Sequence, residues 1–223
     1  MKKLKKLDEA LTGSLLENFH LQEISAEPYA AMRWPRFPAL MHFEVKRYRA
    51  AELGHVMIMR TRAMGMMELL TASFMPAPEQ SFPFLLLDMM AAGKKRTVFV
   101  EYYDRTADGV CLPAMQEIEE RFRDLPDYSE KPAWYCAERM EGSLIKGAQQ
   151  EQEERLVRMI TESLRAYAAA AKSAGRAPGN RAGLERFVQR MIEEGNPSSS
   201  VMEKVLGKEG AERFFRTVVM PLE

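Results

Sequence analysis

The sequence predicts an α+β fold in which a central antiparallel sheet carries helices on its faces. Three observations lead there. Apolar residues alternate at period two in runs between residues 40 and 103, and the connections between those runs are short enough for hairpins. From residue 113 onward the apolar spacing becomes helical. The 223 residues suit one domain, 1–223, with a sizeable core.

Residues 1–19 read as a short amphipathic helix, with Leu4, Leu7, Leu11 and Leu15 at helical spacing. A proline-punctuated stretch from Pro28 to Pro38 follows, carrying Trp34 and Phe37. Met41, Phe43 and Val45 then alternate with His42, Glu44 and Lys46, as in a half-buried strand. After a turn at 50–53, further strands are expected at 54–61, 66–75, 82–90 and 97–103. Pro76-Ala77-Pro78 breaks the sheet, because proline cannot donate to a ladder. A helix at 113–124 presents Met115, Ile118 and Phe122 on one face. A longer one at 148–174 has the stripe Leu156, Ile160, Leu164, Tyr167 and Ala171, with Gly175 as its C′ residue. Beyond a loop at 175–179, Asn180 caps a helix with the core face Leu184, Phe187, Val188 and Met191, and Gly195-Asn196-Pro197 stops it. Ser200 with Glu203 fits a capping box, Gly207 ends that helix, and residues 209–219 close the chain.

Composition narrows the function. Lys+Arg and Asp+Glu balance at 32 each, which excludes a globally basic nucleic-acid coat while leaving room for a local docking patch. Three His, scattered at 20, 42 and 55, and two Cys, at 111 and 136, do not make a metal-ligand pattern or a disulfide framework. Both thiols are expected reduced. No glycine-rich phosphate loop occurs, so a Rossmann or P-loop nucleotide site is not expected. The N-terminus lacks a signal h-region and no apolar run of spanning length is present, so the expectation is a soluble, cytoplasmic protein without a membrane or nucleic-acid partner. The 17 methionines suit either a plastic core or a pocket for a large apolar ligand.

Among polar residues, Asp88 stands out within the apolar run 82–90. Buried in a central strand, its carboxyl would be a proton donor near neutral pH; at a strand end it would instead accept backbone N–H bonds. Asn196 before Pro197 is read locally as a helix-terminating turn, and Arg139 as a solvated or surface-paired residue. Lys94-Lys95-Arg96 is either a landing site for an acidic partner or a solvated hairpin turn.

Three blocks carry a resemblance. They are Phe74-Met75-Pro76-Ala77-Pro78-Glu79 with Pro83 to Asp88, then Leu125-Pro126-Asp127-Tyr128 through Cys136, and finally Val201 to Gly207 with Ala211 to Phe215 and Val218-Val219. In order and spacing they resemble the ferredoxin-dependent bilin reductases. The resemblance implies a three-layer α/β/α sandwich holding biliverdin IXα or a related bilin between sheet and C-terminal helices. It implies no tightly bound cofactor; single electrons come from external reduced [2Fe–2S] ferredoxin, and buried side chains supply protons. Asp88 falls on the family's central catalytic aspartate. Thr71 and Met59 fall where the family has a histidine and a glutamate, Leu86 where it has glycine, and Asn196 on a second aspartate. Pro197 replaces a basic residue beside the propionates, and Arg139 lies near a propionate-binding position. An amide has no proton to give, so Asp88 is the single matched acid, and a two-electron reduction with water supplying the other proton is expected. The expected protein is a monomeric oxidoreductase that docks ferredoxin on Lys94, Lys95 and Arg96. Two alternatives share the fold: a non-catalytic bilin- or haem-binding protein, and an enzyme like red chlorophyll catabolite reductase.

Overall fold

The structure, a computed structural model, describes residues 1–35, 38–63, 65–104, 112–174, 181–196 and 198–222. Phe37, Cys111, the 175–179 loop, the Asn180 cap and Pro197 lie outside the described residues.

Eight strands form one antiparallel sheet: β1 (Leu21–Ile24), β2 (Ala31–Trp34), β3 (Met41–Ala50), β4 (Gly54–Ala63), β5 (Met67–Pro76), β6 (Phe84–Ala92), β7 (Lys95–Tyr103) and β8 (Leu144–Gln149). Strands β3 to β8 follow in chain order as a meander, and β1 and β2 share the outer edge of β3. Six α-helices lie among the described residues: α1 (Lys5–Asn18), α2 (Pro113–Arg121), α3 (Glu153–Ser173), α4 (Arg181–Glu193), α5 (Ser199–Leu206) and α6 (Lys208–Phe214). A π-helical turn, Phe215–Val219, follows α6. The expected α+β sandwich with its central antiparallel sheet is what forms.

Period two sorts the central strands between two cores. Leu85, Leu87, Met89 and Ala91 of β6 join the core under α1, α2 and α3. Phe84 and Leu86 point the other way, into the core under α4, α5 and α6. Both faces of β6 are covered, which is why its sequence is a continuous apolar run rather than an alternation. The first core is closed by Tyr167 of α3, whose hydroxyl donates to the Pro83 carbonyl at 2.8 Å and whose ring packs on Phe74 and Phe82.

Charged groups lock this first face. Arg60 of β4 makes a bidentate pair with Asp8 of α1. Glu68 of β5 accepts the backbone N–H groups of Lys2, Lys3 and Leu4 at 2.9, 2.8 and 3.1 Å, so its carboxylate caps the start of α1. Arg96 of β7 is 3% exposed and donates to Glu153 at the start of α3 at 3.0 Å. Arg96 is therefore not part of a docking rim, contrary to the sequence expectation. Its guanidinium also donates to the Gly93 and Lys95 carbonyls, and only Lys94 and Lys95 of the basic turn are exposed.

Three strands were not anticipated. β1 and β2 are only four residues each; β1 precedes the proline-punctuated stretch and β2 lies within it. β8 precedes the expected long helix and takes only its first two residues, 148 and 149: Leu144 and Ala148 enter the first core while Lys146 reaches Asp127 at 2.6 Å. The capping box at Ser200 does not form, because α5 begins at Ser199 with Ser198 in the N-cap position and no side-chain cap bond.

The Glu68 cap has a pH signature. Burial pushes its carboxyl pKa up, but three backbone N–H bonds outweigh this and hold it below the ordinary value. A depressed folded pKa contributes stability above the unfolded pKa, and that stability is lost as pH falls through the folded one. Glu68→Gln is expected to cost about 2 kcal/mol near neutral pH, with the gap to wild type closing in acid. Thermal unfolding across pH checks this; a gap independent of pH would rule out the charged cap.

Candidate functional site

On the second face, strand register brings one polar row together. Thr71 of β5 pairs with Asp88 of β6, Asp88 pairs with Phe99 of β7, and Met59 of β4 lies beyond Thr71. The neighbouring row is Met57, Ser73, Leu86 and Glu101. A cavity of about 50 Å³ opens over these rows. From the sheet it is lined by Met57, Met59, Thr71, Leu86, Asp88, Glu101 and Tyr103. Met191 of α4, Met202 of α5, and Phe214, Phe215, Val219 and Met220 at the C-terminal end form its roof. Tyr135, Asn196 and Ser198 close its sides.

Asp88 occupies the middle of β6, which excludes the strand-end reading. Its Oδ1 accepts the Thr71 hydroxyl at 2.5 Å. Burial raises its pKa above the ordinary carboxyl value, and the Thr71 bond takes back part of that rise. The half-buried carboxyl therefore keeps its proton to higher pH than a solvated one, with a hydroxyl to orient it.

A second carboxyl lies in the same cavity. Glu101 is 5% exposed and sits diagonally across the β6–β7 ladder from Asp88, a relationship that separates Cβ atoms by about 7 Å. Its Oε1 accepts the Arg139 Nε–H at 2.5 Å and the Tyr103 hydroxyl at 3.1 Å. Burial lifts its pKa to about 7; Arg139 pulls it down and the Asp88 charge pushes it up. Sequence reading missed Glu101 and held Asp88 to be the single acid. The signal was present, since Glu101 interrupts the apolar strand 97–103 as Asp88 interrupts 82–90. What was lacking was the register that places both on one face. Tyr103, stacked on Phe84 at 4.9 Å, was missed as well, as were Ser73, Tyr135 and Ser198.

Arg139 follows the short 3₁₀ segment Trp134–Glu138. Besides Glu101, it holds Glu130 with both terminal nitrogens. Three of its donating nitrogens are committed to carboxylates and its side chain is 11% exposed. It does not line the cavity, so the expected propionate-binding role is not the one its geometry serves: it neutralises Glu101.

Asn196 lines the cavity, yet both ends of its amide serve the turn. Nδ2 donates to the Met191 carbonyl at 3.1 Å and Oδ1 accepts the Ser198 N–H at 2.9 Å. It acts as the helix-terminating turn residue, and its second amide N–H and second Oδ1 lone pair remain beyond these two bonds. The turn is braced by the Trp134 indole, which donates to the Gly195 carbonyl at 2.9 Å, while Ser73 donates to the Val219 carbonyl at 2.6 Å and pins the π turn to the sheet. Among the described residues, no three His, Cys, Asp or Glu side chains converge as a metal site, and no helix is long and apolar enough to cross a membrane.

Burial of Glu101 makes stability depend on pH in the opposite sense to Glu68. Its folded pKa of about 7 lies above the ordinary 4.5, so its contribution is fully present below 4.5 and is lost as pH rises through 7. Glu101→Gln removes that slope. Relative to the variant, wild type should lose about 3 kcal/mol across this range, measured by urea unfolding at stepped pH; parallel curves would show that Glu101 is not desolvated.

No protein-family model matches the sequence, and no curated protein matches it either. Among solved structures, phytochromobilin synthase from tomato in complex with biliverdin has a similar fold. The TM-score is 0.77 at 11% sequence identity, over 95% of this chain and 80% of that one. The three-layer arrangement of antiparallel sheet and helices is therefore shared with a biliverdin-binding protein.

Proposed function

We propose that the chain reduces a linear tetrapyrrole, biliverdin IXα or a related bilin, with Asp88 as proton donor and reduced [2Fe–2S] ferredoxin as the external source of single electrons. The observation that carries this reading is the Asp88 carboxyl. Its pKa is raised by burial, Thr71 orients it, and it lines the space between sheet and C-terminal helices. The tomato enzyme of the same fold binds biliverdin. An electron added to a conjugated tetrapyrrole makes its carbons basic, and a neutral carboxyl beside them can protonate the radical without first drawing a proton from bulk water. No tightly bound cofactor is needed for that step.

The free space of about 50 Å³ is far below the roughly 300–1,000 Å³ of pockets for ligands of this class. Binding therefore requires the C-terminal layer to lift and the cavity's methionines to repack. Met57, Met59, Met191, Met202 and Met220 suit this, since the unbranched thioether chain adapts to the shape placed against it. The exposed pair Lys94 and Lys95, on the β6–β7 hairpin of the strand that carries Asp88, offers a positive landing point for an acidic donor.

Anaerobic titration with biliverdin should shift its visible spectrum, and reduced ferredoxin should then bleach or blue-shift the bound pigment. Binding without reduction would leave the non-catalytic carrier reading; absence of binding would overturn both. Asp88→Asn should bind the pigment within a few-fold of wild type while turnover falls by about 100-fold or more. Lys94→Glu with Lys95→Glu should slow reduction and flatten its dependence on ionic strength; unchanged rates would place docking elsewhere.

A further inference from the structure

We infer that Glu101 is a second proton donor of this cavity, acting with Asp88 on one ligand so that both protons of a two-electron reduction come from the protein. This rests on the bilin-reductase reading and changes its chemistry, because water no longer supplies the second proton.

Three features of the geometry carry it. Glu101 and Asp88 line the same cavity from adjacent strands, at diagonal positions of one ladder. A flat ligand lying along that face can therefore touch both. Glu101 also has a built-in charge partner that Asp88 lacks among the described residues: after giving up a proton it stays paired to Arg139, which Glu130 anchors from the far side. Finally, Met191 and Met202 of the roof and Asn196 and Ser198 at the sides bring no charge. The titratable groups that face Glu101 are Asp88 on β6, Tyr103 on its own strand, and Arg139 and Tyr135 from the 3₁₀ segment, with Glu130 and Cys136 behind them. Of these, only Asp88 shares the cavity as a second acid.

The step balances. One carbon–carbon double bond of the bilin takes two electrons, delivered singly by two reduced ferredoxins, and two protons, one from each carboxyl. Two C–H bonds form, two ferredoxins are oxidised, and both carboxylates then regain protons from solvent. Because like charges at this separation resist ionising together, the first transfer makes the second acid a weaker donor. Arg139 limits that penalty, which assigns it a positioning role.

Two measurements test the inference. Infrared titration of the unliganded protein should show two buried carboxyl groups losing their C=O band in coupled steps. Glu101→Gln should remove one step and move the Asp88 step to lower pH, and Asp88→Asn should do the reverse. A single buried step that is untouched by Glu101→Gln would overturn the inference. In single turnover with bound biliverdin, Glu101→Gln should keep binding and the first reduction but stall the second protonation, about 100-fold down, with partial recovery in Glu101→Asp. Wild-type rates in Glu101→Gln, with Asp88→Asn inactive, would overturn the second donor while leaving the reductase reading intact. Wild type that neither binds nor reduces biliverdin would instead overturn that reading and this inference together.

Discussion

Two carboxyl groups that share one cavity on one face of a sheet set the terms for the rest of this structure. Glu101 is buried and Asp88 half-buried beneath the C-terminal layer, so both are less solvated than at an open sheet surface. A carboxylate in such a place costs several kcal/mol unless it is paired. The chain meets that cost in two ways. Asp88 has its pKa raised by burial, opposed among the described residues by the Thr71 hydroxyl. Glu101 is left near balance, because Arg139 offsets much of its desolvation. Thr71 and Arg139 thus tune two identical functional groups in different directions, and the covering helices make the tuning possible by excluding water.

The strands that anchor this site were readable from sequence because their apolar alternation is strong and the turns between them short. β4, β5, β6 and β7 fall within a few residues of their expected limits. β8 was not readable, since Leu144-Ile145-Lys146-Gly147 runs directly into a helical stripe, and only pairing with β7 decides where extended chain ends. β1 and β2 are held by the edge of β3 rather than by any pattern of their own.

Site residues divide along the same line. Asp88 could be singled out because one acid among apolar neighbours is a local anomaly. Glu101 has the same local signature, but its meaning depends on cross-strand register, which no single segment contains. Arg139 and Arg96 depart from the roles the family resemblance implies for a common reason. Each is consumed by groups distant in sequence, Glu101 and Glu130 for the one and Glu153 for the other, whereas Asn196 makes the helix-terminating turn that its local sequence indicates and also lines the cavity. Whether a polar side chain is available is a property of the folded neighbourhood, and sequence spacing does not report it.

The two faces of the sheet are also fastened differently, and this bears on how a large ligand could enter. On the first face, Arg60 with Asp8, Arg96 with Glu153, and Glu68 with the start of α1 are charge-assisted bonds between sheet and helices. On the second face the C-terminal layer meets the sheet through methionine and aromatic contacts, with the Ser73 bond to the Val219 carbonyl as a neutral tie. Charge-assisted bonds are about twice as strong as neutral ones and far less tolerant of displacement, whereas thioether and ring contacts re-form after a shift of a few ångströms. The layer that can yield is therefore the one over Asp88 and Glu101. Opening it would also admit water and lower both carboxyl pKa values, so the proton-donating state depends on the ligand itself replacing the lid contacts it displaces.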